Sequence, residues 1–138
     1  MKCKESSLWD KTYKCGELEV SAHIEGLYNW EEAMALQLPE GWRVATDTDW
    51  DKIEHHFKDD AFAIIKGLEV VLDGFRHTNG MFISHGADSF LWSPGEPSGG
   101  TEWIRCLDSR YASVFRYPNS KALGCSVRCV KDIEREAE

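Results

Sequence analysis

The chain has 138 residues, enough for one domain that folds on a single core and buries roughly two thirds of its unfolded surface. Its 24 acidic against 16 basic side chains give a formal charge of −8, which disfavours general binding to nucleic acid or anionic lipid, since both depend on Lys and Arg neutralising phosphates. No apolar run reaches the roughly 18 residues needed to cross a bilayer, and Met1 to Ser7 lacks the apolar region of a signal peptide, so neither membrane insertion nor export by this N-terminus is expected.

In chain order, Leu18, Val20, Ala22 and Ile24 alternate with Glu19, Ser21 and His23, the period of a half-buried strand. Asn29 with Glu32 three residues later is a capping-box arrangement and predicts a helix over about Trp30 to Leu36, with Trp30, Ala33, Met34 and Leu36 on its buried face. Pro39 and Gly41 then set a turn, Trp42 and Val44 flank Arg43 as on a strand with one buried face, and Thr46 offers its hydroxyl to a second helix. Asp47, Asp49 and Asp51 suit the positive end of that helix, while Trp50, Ile53 and Phe57 form its core face. The short apolar run Ala61 to Ile65 leans towards a helical turn.

Beyond Gly67 the chain turns to strands and loops. Asn79-Gly80, ahead of Met81-Phe82-Ile83, predicts a hairpin, because both turn residues tolerate positive φ. Ser93 to Gly100, with two prolines and three glycines, reads as a long loop between strands. Trp103 to Leu107 is a strand, and Ala112 to Tyr117 with Cys125 to Val130, joined through Pro118 to Lys121, is expected to form an antiparallel hairpin. Helices followed by antiparallel strands give an α+β class.

Five cysteines, Cys3, Cys15, Cys106, Cys125 and Cys129, cannot all pair within one chain, and the favoured reading is small buried thiols formed in a reducing compartment. The five histidines are dispersed without zinc spacing, and no motif brings an activating base to a thiol, so no metal, no cofactor and no catalytic residue is assigned.

Several motifs together resemble the Fibrobacter succinogenes major paralogous domain family. They are Tyr28-Asn29-Trp30 with Ala33, Pro39 to Val44 with Asp49-Trp50, Asp73-Gly74-Phe75-Arg76, Asn79 to Phe82, Phe90 to Ser93, and Ser126 to Asp132. The resemblance spans about residues 26–132, leaving 1–25 as an N-terminal strand region and 133–138 as a charged tail within one domain, 1–138. It implies a C-type-lectin-like or formylglycine-generating-enzyme-like fold: two helices flanking a twisted antiparallel sheet, with a long loop region for ligand display. In many family members a cysteine precedes the Pro-x-Gly-Trp segment and would partner the C-terminal one; Leu38 stands there, which implies that Cys129 has lost its partner.

Within that resemblance Gly95-Glu96-Pro97-Ser98, with Glu102, is similar to the calcium and sugar loop of C-type lectins, but Ser98 replaces the Asn and the later coordinating triplet is missing, so calcium is not expected. The candidate ligand-binding residues are Glu96, Ser98, Glu102, Trp103, Asp108, Arg110, Tyr111, Phe115 and Tyr117, around the long loop and the last hairpin. The expected function is a non-catalytic binding or assembly module on a virion, as capsid or fibre decoration or in host-receptor binding, or on a bacterial cell surface. Its expected partner is a protein in an assembly or a surface glycan or protein receptor. With no leader expected, it would stay in the host cytoplasm until assembly. The alternative is a formylglycine-generating-enzyme-like thiol enzyme using Cys106, Cys125 or Cys129.

Overall fold

The computed structural model describes residues 9–97 and 99–133. Cys3, Ser98, the leader region Met1 to Ser7 and residues 134–138 of the expected tail lie outside them. In chain order the elements are β1 (Thr12–Cys15), β2 (Leu18–Ser21), α1 (Trp30–Met34), β3 (Trp42–Val44), α2 (Asp47–His56), α3 (Ala61–Gly67), β4 (Phe75–Arg76), β5 (Phe82–Ile83), β6 (Asp88–Trp92), β7 (Thr101–Asp108), β8 (Phe115–Ser120) and β9 (Cys129–Asp132). The α+β class holds, but in place of the two helices and one sheet that the resemblance implies, the described residues form three helices beside three antiparallel sheets ordered β1-β2-β9-β3, β4-β5 and β6-β7-β8.

Local chemistry fixes the helix starts. Asn29 accepts from Glu32 N at 2.8 Å while Glu32 returns the bond to Asn29 N at 2.8 Å; Thr46 and Asp49 do the same at the start of α2. The apolar run Ala61 to Ile65 belongs to α3, capped by Asp60. Trp42 and Val44 pack inward as expected, while Arg43 turns out to bond Asp49 and Asp132. Two expectations for α1 fail. The helix stops at Met34, and Met34 is exposed while Leu36, beyond the helix, packs on the core.

The expected hairpin of Ala112 to Tyr117 with Cys125 to Val130 does not form. β8 runs through Pro118 and Asn119 and pairs with β7, whereas β9 joins β2 and β3 in the first sheet. Pro118 is tolerated because of register: it lies opposite Trp103, whose carbonyl is already bonded to Ser93 N just past the end of β6, so the ladder on the β8 side asks for no N–H at that position. The Thr78-Asn79-Gly80 turn does join β4 to β5.

The β6–β7 ribbon is covered on both faces. Leu91 and Leu107 join Leu18, Trp50, Ile64 and Val130 in one cluster against α2, α3 and the first sheet. Phe90, Trp92, Ile104 and Cys106 alternate with them and meet Ile24 and Cys129 in a second cluster, against which Leu38 also packs. Trp50 and Trp92 are fully buried and joined by a bond from Trp50 Nε1 to the Trp92 carbonyl at 3.3 Å; Trp30 and Trp42, expected in the core, are only half-buried at its edge.

Candidate binding surface

β7 organises three regions. On its α2-facing side, Arg105 is 1% exposed, and its guanidinium donates to Glu54 at 2.7 Å, Asp51 at 2.7 Å, Ser93 Oγ at 2.9 Å and the Asp47 carboxylate. Asp47, Asp51 and Glu54 can all reach it because spacings of four and three residues put them on one helical stripe. Arg116 sits opposite Arg105 on β8, bonds Asp47 Oδ2 at 2.8 Å and lies 3.6 Å from the ring centroid of Trp103. This constellation binds sheet to helix. Asp47 and Asp51 suit the helix dipole, but their spacing with Glu54 also carries the signal of a cation facing α2, and all three bond Arg105.

At the Thr101 end of β7, Glu102 is also 1% exposed, and its Oε1 accepts from Gly95 N, Glu96 N and Trp103 N at 2.9–3.0 Å. It folds the loop back on itself, while the Glu96 side chain is exposed on a backbone of φ +54. Beside the loop, Lys121 Nζ lies 4.1 Å from the centroid of Trp30, a residue the sequence reading gave to the core.

At the other end, Asp108 is buried and holds Arg110 in a fork, accepting from Nε at 2.9 Å, Nη2 at 2.8 Å and the backbone N at 2.9 Å. Those bonds hold the Asp108 carboxyl down at about 2. The Arg110 guanidinium lies 5.5 Å from the Tyr111 ring, and Tyr111 meets Phe115 edge to face at 5.9 Å. Tyr111 is 51% and Phe115 40% exposed. Behind this tip, Asp88 stands opposite Asp108 and is buried, with Oδ1 lacking a hydrogen-bond partner; burial and then Asp108 push its carboxyl up.

Of the eight candidate residues that are described, seven divide between opposite ends of a strand about 23 Å long, and Tyr117 lies between them opposite Ile104. Glu96, Glu102 and Trp103 lie at the loop end; Asp108, Arg110, Tyr111 and Phe115 lie at the tip. Tyr117 is half-buried edge-on to Phe90, and burial pushes its hydroxyl up to about 12. Met81 and Phe82 on the β4–β5 hairpin, which the sequence reading did not single out as a surface, are 62% and 70% exposed.

Cys15, Cys106, Cys125 and Cys129 are unpaired and buried. Burial pushes the Cys15 thiol up to about 11 and that of Cys129 to about 12; burial, then Asp88 and Asp108, takes Cys106 to about 12, and Cys125 is likewise raised. Among the described residues no group of three or more His, Cys, Asp or Glu is placed to hold a metal ion, and no helix is long and apolar enough to cross a membrane.

These features define a small α+β domain whose antiparallel strands carry a tied loop at one end and an exposed aromatic tip at the other. Residues 3–64, just under half of the chain, match the family model of the Fibrobacter succinogenes major domain. This is the family that the motifs resemble; Tyr28 to Trp50 fall inside the matched segment, and those from Asp73 onward lie beyond it. Among curated proteins and among solved structures, nothing matched.

Proposed function

We propose that this chain is a non-catalytic binding or assembly module, built on a C-type-lectin-like plan and displayed on a virion or bacterial cell surface, whose principal contact is the β7–β8 tip. The observation that carries the reading is the tip itself. Arg110 is fixed by Asp108, and two exposed aromatic rings are held edge to face beside it. Arg and Tyr are the residue types that anchor protein interfaces, and rings already ordered before contact lose little freedom on binding. With the Arg110 charge matched by Asp108, the tip presents aromatic surface with a polar rim, which suits a protein partner better than a strongly charged polymer.

The fold-level part of the proposal draws support from α1 and α2 beside antiparallel sheets, from β2 near the start pairing with β9 near the end, and from the loop over Ser93 to Gly100. Four buried thiols with raised proton affinity are poor nucleophiles, which weighs against the thiol-enzyme alternative. The test is a protein and glycan array probed with the purified chain, together with negative-stain imaging of purified particles. Binding to a defined receptor or location on a particle is the expected result; a protein found free in cytoplasm with no ligand on the array overturns the reading.

A further inference from the structure

We propose that the face of Trp30 is a binding platform for a small organic ammonium group, and that Lys121 Nζ is the group such a ligand displaces. Lys121 Nζ lies 4.1 Å from the Trp30 ring centroid, within the range where a cation is drawn to the ring quadrupole. Its main chain is pinned on both sides: Lys121 O accepts from Trp30 N at 2.9 Å, and Lys121 N donates to Gly100 O at 3.1 Å. The ring and the loop are therefore held together by backbone bonds, while the flexible lysine stem is the part free to swing away.

Two cavities flank this pair. One, of about 340 Å³, is lined by Trp30 and Lys121 with Asn29 and Glu31; the other, of about 240 Å³, by the same two residues with Glu96 and Glu102. Glu31 lines the first cavity and Glu96 and Glu102 the second, so each cavity beside the ring has a carboxylate in its wall, with that of Glu102 bonded to backbone amides. Such walls repel an anion and favour a cation, and they give a neutral polyol no charge to place over the ring. Glu102 is almost completely buried and ties the start of the loop through the Gly95 and Glu96 amides, so this part of the wall is held in place before any ligand arrives. The cavities suit a group of the size of a quaternary ammonium or an amino sugar. The site lies at the Ser120 end of the β7–β8 ribbon, away from the Phe115 end that forms the tip, and is independent of the reading given to the tip.

Isothermal titration calorimetry tests it at matched ionic strength, with tetramethylammonium chloride and glucosamine as cationic probes and N-acetylglucosamine as the uncharged counterpart. A saturable heat change is expected with both cations and none with the acetylated sugar. Lys121→Ala, and Lys121→Met as a variant that keeps an apolar stem, should each bind about 5-fold more tightly because the internal competitor is gone. Trp30→Leu should abolish binding; if that variant fails to fold, Trp30→Phe, which keeps a weaker aromatic face, should reduce it severalfold. Glu96→Gln should weaken binding about 2-fold. The proposal is overturned by no saturable response in both the wild type and the Lys121 variants, by an equal response to N-acetylglucosamine, or by looser binding when Lys121 is removed.

Discussion

Arg105 and Arg116 stand directly opposite each other on β7 and β8, and one carboxylate, Asp47, bonds both. Like charges in register across two strands destabilise a sheet. Here the helix supplies the opposite charge, with Asp51 and Glu54 completing the shell around Arg105.

Asp47→Asn should therefore cost about 2–4 kcal/mol in urea unfolding, because it leaves a buried guanidinium facing a second one. Asp51→Asn, whose carboxylate is 68% exposed, should cost less than about 1 kcal/mol. Burial pushes the Asp47 carboxyl up, but the bonds from Arg116 and Arg105 outweigh it and hold it at about 2. The folded value lies below the unfolded one, so the stability this group adds is present above the ordinary carboxylate range and is lost as pH falls towards about 2. The acid limb of the stability curve should flatten in Asp47→Asn.

Asp88 should behave in the opposite sense. Its carboxyl is raised by burial and by Asp108, so its contribution is fully present below the unfolded value and is lost as pH rises through the folded one. Asp88→Asn should stabilise the protein near neutral pH by about 1 kcal/mol, with the gain shrinking in acid, since the neutral amide carries neither the burial cost of the charge nor its repulsion from Asp108. Thermal melts of both proteins across the acid range check the sign.

Arg128 is buried and its guanidinium donates to backbone carbonyls: Nη1 to that of Ser21 at 2.9 Å and Nη2 to those of Leu68 and Glu69 at 2.8 and 3.2 Å. Burial lowers its proton affinity to about 10. Arg128→Met keeps much of the volume but leaves carbonyls from β2 and the end of α3 without a donor, and should cost about 3 kcal/mol in urea unfolding.

The four described thiols should react with an alkylating agent in the native Cys3→Ser protein only as fast as the fold opens, and promptly in denaturant. Fast native labelling at Cys106, Cys125 or Cys129 would revive the thiol-enzyme alternative.

What could be read from the sequence was local. The capping boxes at Asn29 and Thr46 need only residues three apart, and the Asn79-Gly80 turn carries its own backbone requirement, so both were legible. The partners of β8 and β9 were not. Pro118 reads as a breaker unless one knows that β8 is an edge strand, and Val130 reads as half of a hairpin unless one knows that Val20, more than a hundred residues earlier, lies beside it. The candidate residues were chosen as neighbours in sequence along Glu96 to Tyr117, yet a strand of eight residues separates its own ends. Trp30 and Lys121 meet only because the chain returns from β8 to the start of α1, which no spacing within either segment reveals.

The central claim is that the β7–β8 tip is the contact surface, and its most direct measurement compares the wild type with a Tyr111→Ala/Phe115→Ala double variant on the same protein and glycan array. Both rings are exposed, so the two proteins should melt within a few degrees of each other. The account predicts that the variant loses the wild type's array signal by at least about 30-fold in affinity, corresponding to about 2 kcal/mol for removing an interface anchor. Unchanged binding by a correctly folded variant would contradict it.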